Sequence, residues 1–265
     1  MIDLAIITGS GIYDLPGERE EAGAQTRFGR VQVSRMRVGP WRVGGISRHR
    51  PGHRYLPHAV PHEANLAALH SLGARAILAT TAVGAVDPAV ALGYPLLFDD
   101  LFFPENRLPD GRPCTVFDDP EAPERGHLIQ EEPYAPRLRR RLALAAESLG
   151  VEAVTGGVYA HVNGPRFNTA AEVRPLRAAG VAAVSQTCGP ETVLAGELGI
   201  PYALVGFPVN YTPGAGDPGT QDELAALLSR SREVLPRLLL RAAETLEKED
   251  FACDHGYVYR VEGGI

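Results

Sequence analysis

Apolar runs of four or five residues alternate along this chain with stretches whose apolar positions follow a helical period. Residues 4–7 carry no polar side chain and end in Thr8-Gly9-Ser10-Gly11, the pattern of a buried strand running into a tight turn. Residues 31–37 alternate apolar and polar, and 41–46 follow after Gly39-Pro40, which predicts a hairpin. Residues 62–72 predict a helix that Gly73 is placed to stop, and 76–80 a second buried strand leading into Thr81-Ala82-Val83-Gly84. From 87 to 136 the chain is rich in Pro, Asp and Gly and reads as long loops around one strand at 94–98. An amphipathic helix at 137–149 closes on Gly150, and a strand follows at 157–162. Thr169 with Glu172, and Thr220 with Glu223, have the spacing of capping boxes that open helices to about 179 and 247. Between them lie a strand at 182–185, a helix at 190–198 and a strand at 202–209. The polar tail from Phe251 is expected to pack on a neighbour or to fray.

This alternation predicts an α/β fold: a central mixed, largely parallel sheet with helices on both faces, residues 1–265 forming one domain. Ligands of such sheets bind where loops leave the carboxyl ends of strands. Ser10, Thr81, Thr187 and Asn210 are all expected at such ends. Composition narrows the function. The formal net charge of −6 argues against a general nucleic-acid binder, and 45% hydrophobic residues suffice for a core. No stretch approaches the roughly 20 apolar residues of a membrane helix, and the N-terminus lacks a secretory pattern, so a cytoplasmic location is expected. Three widely spaced cysteines, Cys114, Cys188 and Cys253, read as reduced thiols.

Several segments carry candidate chemistry. The turn Thr8-Gly9-Ser10-Gly11 is either a plain tight turn or an anion cradle of backbone N–H groups and the Ser10 hydroxyl. Asp14 stands where a dinucleotide fingerprint needs glycine or alanine, and no Walker lysine follows. Ser47-Arg48-His49 offers a bidentate guanidinium with His49 as a second donor, unless the pair is a solvated surface feature. His49, His53 and His58 do not form a metal site, because prolines interrupt their spacing and no zincin glutamate is present. Phe167 is either a stacking platform for a flat base or a core residue. Glu191, after Pro190, either caps a helix or acts in the site, and Cys188 reads as inert.

Taken in order, Ile6-Ile7-Thr8-Gly9-Ser10-Gly11, Ser47-Arg48-His49, Ala79-Thr80-Thr81-Ala82-Val83-Gly84, Gly164-Pro165-Arg166-Phe167, Thr187-Cys188-Gly189-Pro190-Glu191 and Phe207-Pro208-Val209-Asn210 resemble the trimeric purine nucleoside phosphorylase family. The branch most similar is that of the methylthioadenosine and methylthioinosine phosphorylases, and the resemblance spans nearly the whole chain. It implies phosphorolysis of a purine nucleoside to free base and ribose 1-phosphate, with inorganic phosphate as co-substrate and no metal or organic cofactor. It also implies a homotrimer or dimer of trimers. On this chain it places phosphate at Ser10, Arg48, His49, Thr81, the Ala82 backbone and Thr187. The base falls at Phe167, Asn168, Asn210 and Thr212, and the ribose and 5′ group at Gln186, His53 and His127, the last donated to a neighbouring subunit. Catalysis falls to Asn210, His49 and Arg48.

Four positions depart from the family pattern. The adenine-handling enzymes carry Asp where this chain has Asn210, and a second Asp where it has Thr212. An amide can donate to a 6-oxo group and accept from N7–H as the base departs, so Asn210 favours hypoxanthine or guanine, giving 5′-methylthioinosine or inosine/guanosine as substrate. Asn168 replaces the Glu usual in 6-oxopurine enzymes, and Gln186 replaces a sugar-face Met, where it could reach a ribose hydroxyl. The competing readings are a methylthioadenosine phosphorylase tolerating Asn210, a hydrolytic nucleosidase, and a non-catalytic purine-binding protein.

Overall fold

The computed structural model describes residues 1–260. In chain order the elements are β1 (Leu4–Thr8), β2 (Glu20–Thr26), β3 (Gly29–Val38), β4 (Trp41–Ser47), α1 (His62–Ser71), β5 (Ile77–Ala85), β6 (Leu96–Leu97), β7 (Asp100–Phe102) and β8 (Gly126–Gln130). There follow α2 (Pro136–Ser148), β9 (Val154–Thr155), β10 (Val158–His161), α3 (Ala170–Ala178), β11 (Val181–Ser185), α4 (Cys188–Glu197), β12 (Tyr202–Tyr211), α5 (Gln221–Glu244) and β13 (Gly256–Arg260).

Eleven strands form one mixed sheet whose main path runs β2-β3-β4-β1-β5-β11-β10-β7, with β12 beside β5. Pairings at its centre, β1 with β4 and β5, and β12 with β5, are parallel. These strands are buried on both faces, so they read as continuous apolar runs, and successive side chains supply two different cores. Ala5, Ile7, Ile77, Ala79 and Leu204 face a cluster completed by Leu66 and Leu69 of α1 and Leu194 of α4. Leu4, Ile6, Leu78, Val205 and Phe207 face the other, completed by Leu138 and Leu142 of α2 and Leu235 and Leu239 of α5. Helices therefore cover both faces.

Both capping boxes are present, each with the Thr side chain and the N3 Glu bonded reciprocally. Other expectations need correction. The strand expected at 76–80 continues to Ala85 and that expected at 202–209 to Tyr211, because the two pair side by side through the Thr81–Gly84 segment. Thr81 and Asn210 thus lie inside strands, not after them. The 94–98 strand shrinks to two residues. As far as Arg260 the tail packs on its own chain: Phe251 is buried edge-on against Trp41 at 4.8 Å, and β13 pairs with β8, a strand the loop-like composition of 87–136 concealed; the last five residues lie outside the described ones.

Candidate active site

The site is built around the parallel trio β1, β5 and β4, whose ends meet α4. Gly9 is there because nothing larger fits. A Cβ at that position would lie 2.8 Å from the Thr80 carbonyl oxygen and 3.2 Å from Arg48 Nη1. The turn therefore lies directly against the guanidinium of Arg48, which leaves β4 and is wholly buried. Its Nε donates to Glu191 Oε1 at 2.5 Å, Nη2 to Glu191 Oε2 at 2.7 Å, and Nη1 to the Thr80 carbonyl at 3.0 Å. A guanidinium has five N–H groups. Three are spent, which leaves one on each terminal nitrogen. The surface alternative for Arg48 is excluded by its burial.

Burial opposes both charges of this pair, but their mutual attraction outweighs it and holds Arg48 protonated and Glu191 ionised. Glu191 is consequently no helix cap. Nearby hydroxyls form a chain: Thr81 Oγ1 lies 3.0 Å from Ser185 Oγ, which lies 2.8 Å from Tyr159 Oη, and Tyr159 Oη accepts from the Cys188 N–H at 3.1 Å. Thr187 sits at the start of α4, buried, with its hydroxyl 3.7 Å from Cys188 Sγ. Burial pushes the Cys188 thiol up, in keeping with an inert side chain. Arg48 and Thr81 thus border the Gly9 turn that carries Ser10, with Ala82 next in β5 and Thr187 at the start of α4.

His49 enters with the opposite polarity to that expected. Its Nδ1 lies 2.7 Å from the Tyr55 carbonyl, which can only accept, so Nδ1 carries the proton. Burial, reinforced by the Arg48 charge, depresses its pKa to about 4. Neutral His49 therefore presents Nε2 as an acceptor, not a second donor. His53 stacks on it, ring centroids 4.3 Å apart.

Asn210 follows an irregularity in β12. Pro208 pairs with Val83 and Asn210 with Gly84, so Val209 is the extra residue of a bulge. A bulge re-aims the side chains beyond it. Gly84 leaves the space: a Cβ there would meet Thr212 Cγ2 at 2.8 Å and lie 3.8 Å from Asn210 Oδ1. Asn210 Nδ2 donates to the Tyr211 carbonyl at 2.9 Å, leaving Oδ1 and one N–H free. Thr212, by contrast, is buried and donates to the Ala85 carbonyl at 3.0 Å, a structural bond.

Phe167 is 86% exposed, which removes the core alternative. Gln186 Nε2 donates to the Arg166 carbonyl at 2.8 Å and so pins the segment bearing Phe167 and Asn168, with its Oε1 and second N–H not spent in that bond. His127 is exposed on β8 and lines a cavity of about 420 Å³ with Cys114 and Glu197. Glu197 ends α4, roughly 15 Å along the helix from Thr187 at 1.5 Å per residue, so His127 lies outside this chain's own site. Sequence reading missed Arg232 of α5, whose Nε is 2.6 Å from where a Gly11 Cβ would stand. It also missed two buried histidines, His62 beside the Arg48–Glu191 pair and His161 near His62.

The phosphorylase superfamily model matches residues 3–244. The chain belongs to the phosphorylase superfamily. Among its relatives is the 6-oxopurine nucleoside phosphorylase of Pyrococcus furiosus, 36% identical over 252 residues, covering 93% of this chain and 94% of that one. The Methanopyrus kandleri protein named "Probable S-methyl-5'-thioinosine phosphorylase" is 37% identical, covering 92% and 93%. Methylthioadenosine phosphorylase from Schistosoma mansoni in complex with adenine superposes with a TM-score of 0.82 at 25% identity, covering 95% of each chain. The fold of this phosphorylase is thus that of nucleoside phosphorylases, as the resemblance implied.

Proposed function

We propose that this phosphorylase transfers the ribosyl group of a 6-oxopurine nucleoside, either 5′-methylthioinosine or inosine/guanosine, to inorganic phosphate. The observation that carries the reading is the pairing of two sites across one sheet, in which Thr81 of the first and Asn210 of the second lie on the adjacent strands β5 and β12. At one, Arg48 keeps two free N–H groups beside the Gly9–Ser10 turn and the Thr81 and Thr187 hydroxyls. At the other, Asn210 keeps one N–H and Oδ1 free beyond the β12 bulge. Phosphate would be held by Arg48, Ser10, Thr81, the Ala82 backbone and Thr187. Neutral His49 would accept a hydrogen bond at Nε2 from the hydroxyl of hydrogen phosphate, which stays a dianion with its charged oxygens toward the sugar.

In the reaction a phosphate oxygen bonds to C1′ as the C1′–N9 bond breaks and its electron pair passes to the purine. Positive charge on the ribosyl group is stabilised by the bound dianion, which is also held in place to attack. Negative charge on the departing base is stabilised by the Asn210 N–H at the 6-oxo oxygen, and once solvent water has delivered a proton to N7, Oδ1 accepts a hydrogen bond from that N7–H. Exposed Phe167 would cover the base face. The names of the relatives, 6-oxopurine nucleoside and methylthioinosine phosphorylases, support the 6-oxo preference.

The test is release of free base from methylthioadenosine, methylthioinosine, inosine and adenosine, with and without phosphate. Phosphate-dependent turnover of the 6-oxo pair is expected. Turnover without phosphate would make this a nucleosidase, and better use of methylthioadenosine would overturn the role given to Asn210.

A further inference from the structure

Arg48 has its buried carboxylate partner 143 residues away in sequence. Glu191 is itself fully buried, and every contact it makes serves one orientation. Its two oxygens take Nε and Nη2 of Arg48 in a fork, and Oε2 also accepts from the Tyr202 hydroxyl at 2.9 Å. His62 Nδ1 stands 3.8 Å from Oε1, with neither ring nitrogen hydrogen-bonded among the described residues. Tyr202 opens β12 and Glu191 sits in the first turn of α4, so the carboxylate is tied to the sheet as well as to the helix.

This arrangement is costly as a source of stability, because a buried ion pair seldom outdoes an apolar replacement of the same volume. Its specific effect is geometric. With Nε and Nη2 taken on one edge and Nη1 tied to the Thr80 carbonyl, the guanidinium plane cannot turn. Its two remaining N–H groups are then fixed, one on each terminal nitrogen, the spacing that meets two oxygens of a tetrahedral anion.

We propose that Glu191 is the positioning residue of the oxyanion site: with Tyr202 behind it, it fixes Arg48 so that the two free guanidinium N–H groups grip inorganic phosphate. The proposal rests on the phosphorolytic reading and adds to it a residue that touches no substrate. In Glu191→Gln the amide has one acceptor and one donor, so its NH₂ opposes an Arg48 N–H and half the fork is lost.

The experiment compares wild type, Glu191→Gln and Tyr202→Phe by phosphate-induced thermal shift and by steady-state kinetics varying phosphate and nucleoside separately. Glu191→Gln is expected to raise the KM for phosphate at least tenfold, leave the KM for nucleoside within about threefold, and weaken the phosphate-induced shift in parallel. Tyr202→Phe leaves no charge unpaired and is expected to raise the KM for phosphate about threefold. A general loosening of the fold would move both KM values or kcat alone. If Glu191→Gln does not fold, Tyr202→Phe decides, and an unchanged phosphate KM in it overturns the proposal. Unchanged or tighter phosphate binding in a folded Glu191→Gln also overturns it. No phosphate-induced shift or turnover in the wild type would instead overturn the phosphorolytic reading itself.

Discussion

Burial of His49, His62 and His161 in and behind the site is expected to make this protein acid-labile below pH 6.5, with the lowered His255 adding to the loss and Glu197, raised by burial, opposing it. Burial depresses His49 and His62 to about 4 and His161 to about 3, against an ordinary 6.5. Each stays neutral in the folded chain, while the unfolded chain takes up a proton at each below pH 6.5. The stability tied to neutrality is therefore complete above pH 6.5 and is lost as pH falls toward the folded values. Each site contributes a slope of about 1.4 kcal/mol per pH unit, so three give about 4 kcal/mol per unit below pH 6. Between pH 6.5 and 5 the loss is on the order of 4–6 kcal/mol, comparable with the whole stability of a small domain. Glu191 and Asp3, whose pKa values are lowered, add their loss only below the ordinary carboxylate range. Urea unfolding at closely spaced pH values in phosphate-free buffer reads the slope directly. His161→Leu removes one titrating ring and an Nδ1 with no hydrogen-bond partner among the described residues, and is expected to lower the slope by about 1.4 kcal/mol per pH unit. Stability that stays flat from pH 7 to 5.5, or an unaltered slope in the variant, would refute the reasoning.

Other perturbations separate the parts of the site. Gly9→Ala forces a Cβ to within 2.8 Å of the Thr80 carbonyl oxygen on a buried strand. Overpacking of about 1–3 kcal/mol is expected, a fall in Tm of roughly 3–10 °C by calorimetry, with a rise in the phosphate KM. Arg48→Met strands the Glu191 carboxylate in the core; denaturant unfolding is expected to show a loss of about 3–5 kcal/mol, and phosphate dependence should vanish. Asn210→Asp is expected to move the ratio of inosine-type to adenosine-type turnover toward the 6-amino substrates about tenfold, as read by base release. Phe167→Ala, at a side chain in solvent, should leave Tm unchanged in the same scan while raising the nucleoside KM.

Much of the architecture was legible because local chemistry decides it. A strand buried on both faces must be apolar throughout, and residues 4–7 and 76–80 announce themselves on that ground alone. Thr169 and Thr220, each three residues ahead of a glutamate, open helices by bonds that close within one turn. What stayed hidden depends on pairing across the chain. Nothing local separates Thr81–Ala85 from a loop; it is strand because β12 lies beside it through the bulge at Val209. β8 and β13 are strands only because each finds the other.

The site divides along the same line. Glycine turns, hydroxyls and Arg48 could be listed from the sequence, since those residue types recur wherever anions are bound. Their polarity could not. Whether His49 donates or accepts is settled by the Tyr55 carbonyl, six residues on, and the direction of the Gln186 amide by the Arg166 carbonyl that takes one of its N–H groups. Glu191 follows a proline at the start of a helix, where local rules assign a cap. Only the approach of β4 to α4 turns it into the counter-ion of Arg48. The residues that touch a ligand are thus the readable part of this site. Those that set the protonation and direction of the ligand-touching groups are fixed by contacts 6, 20 and 143 residues apart, and these are the positions where mutation separates phosphate binding from base recognition.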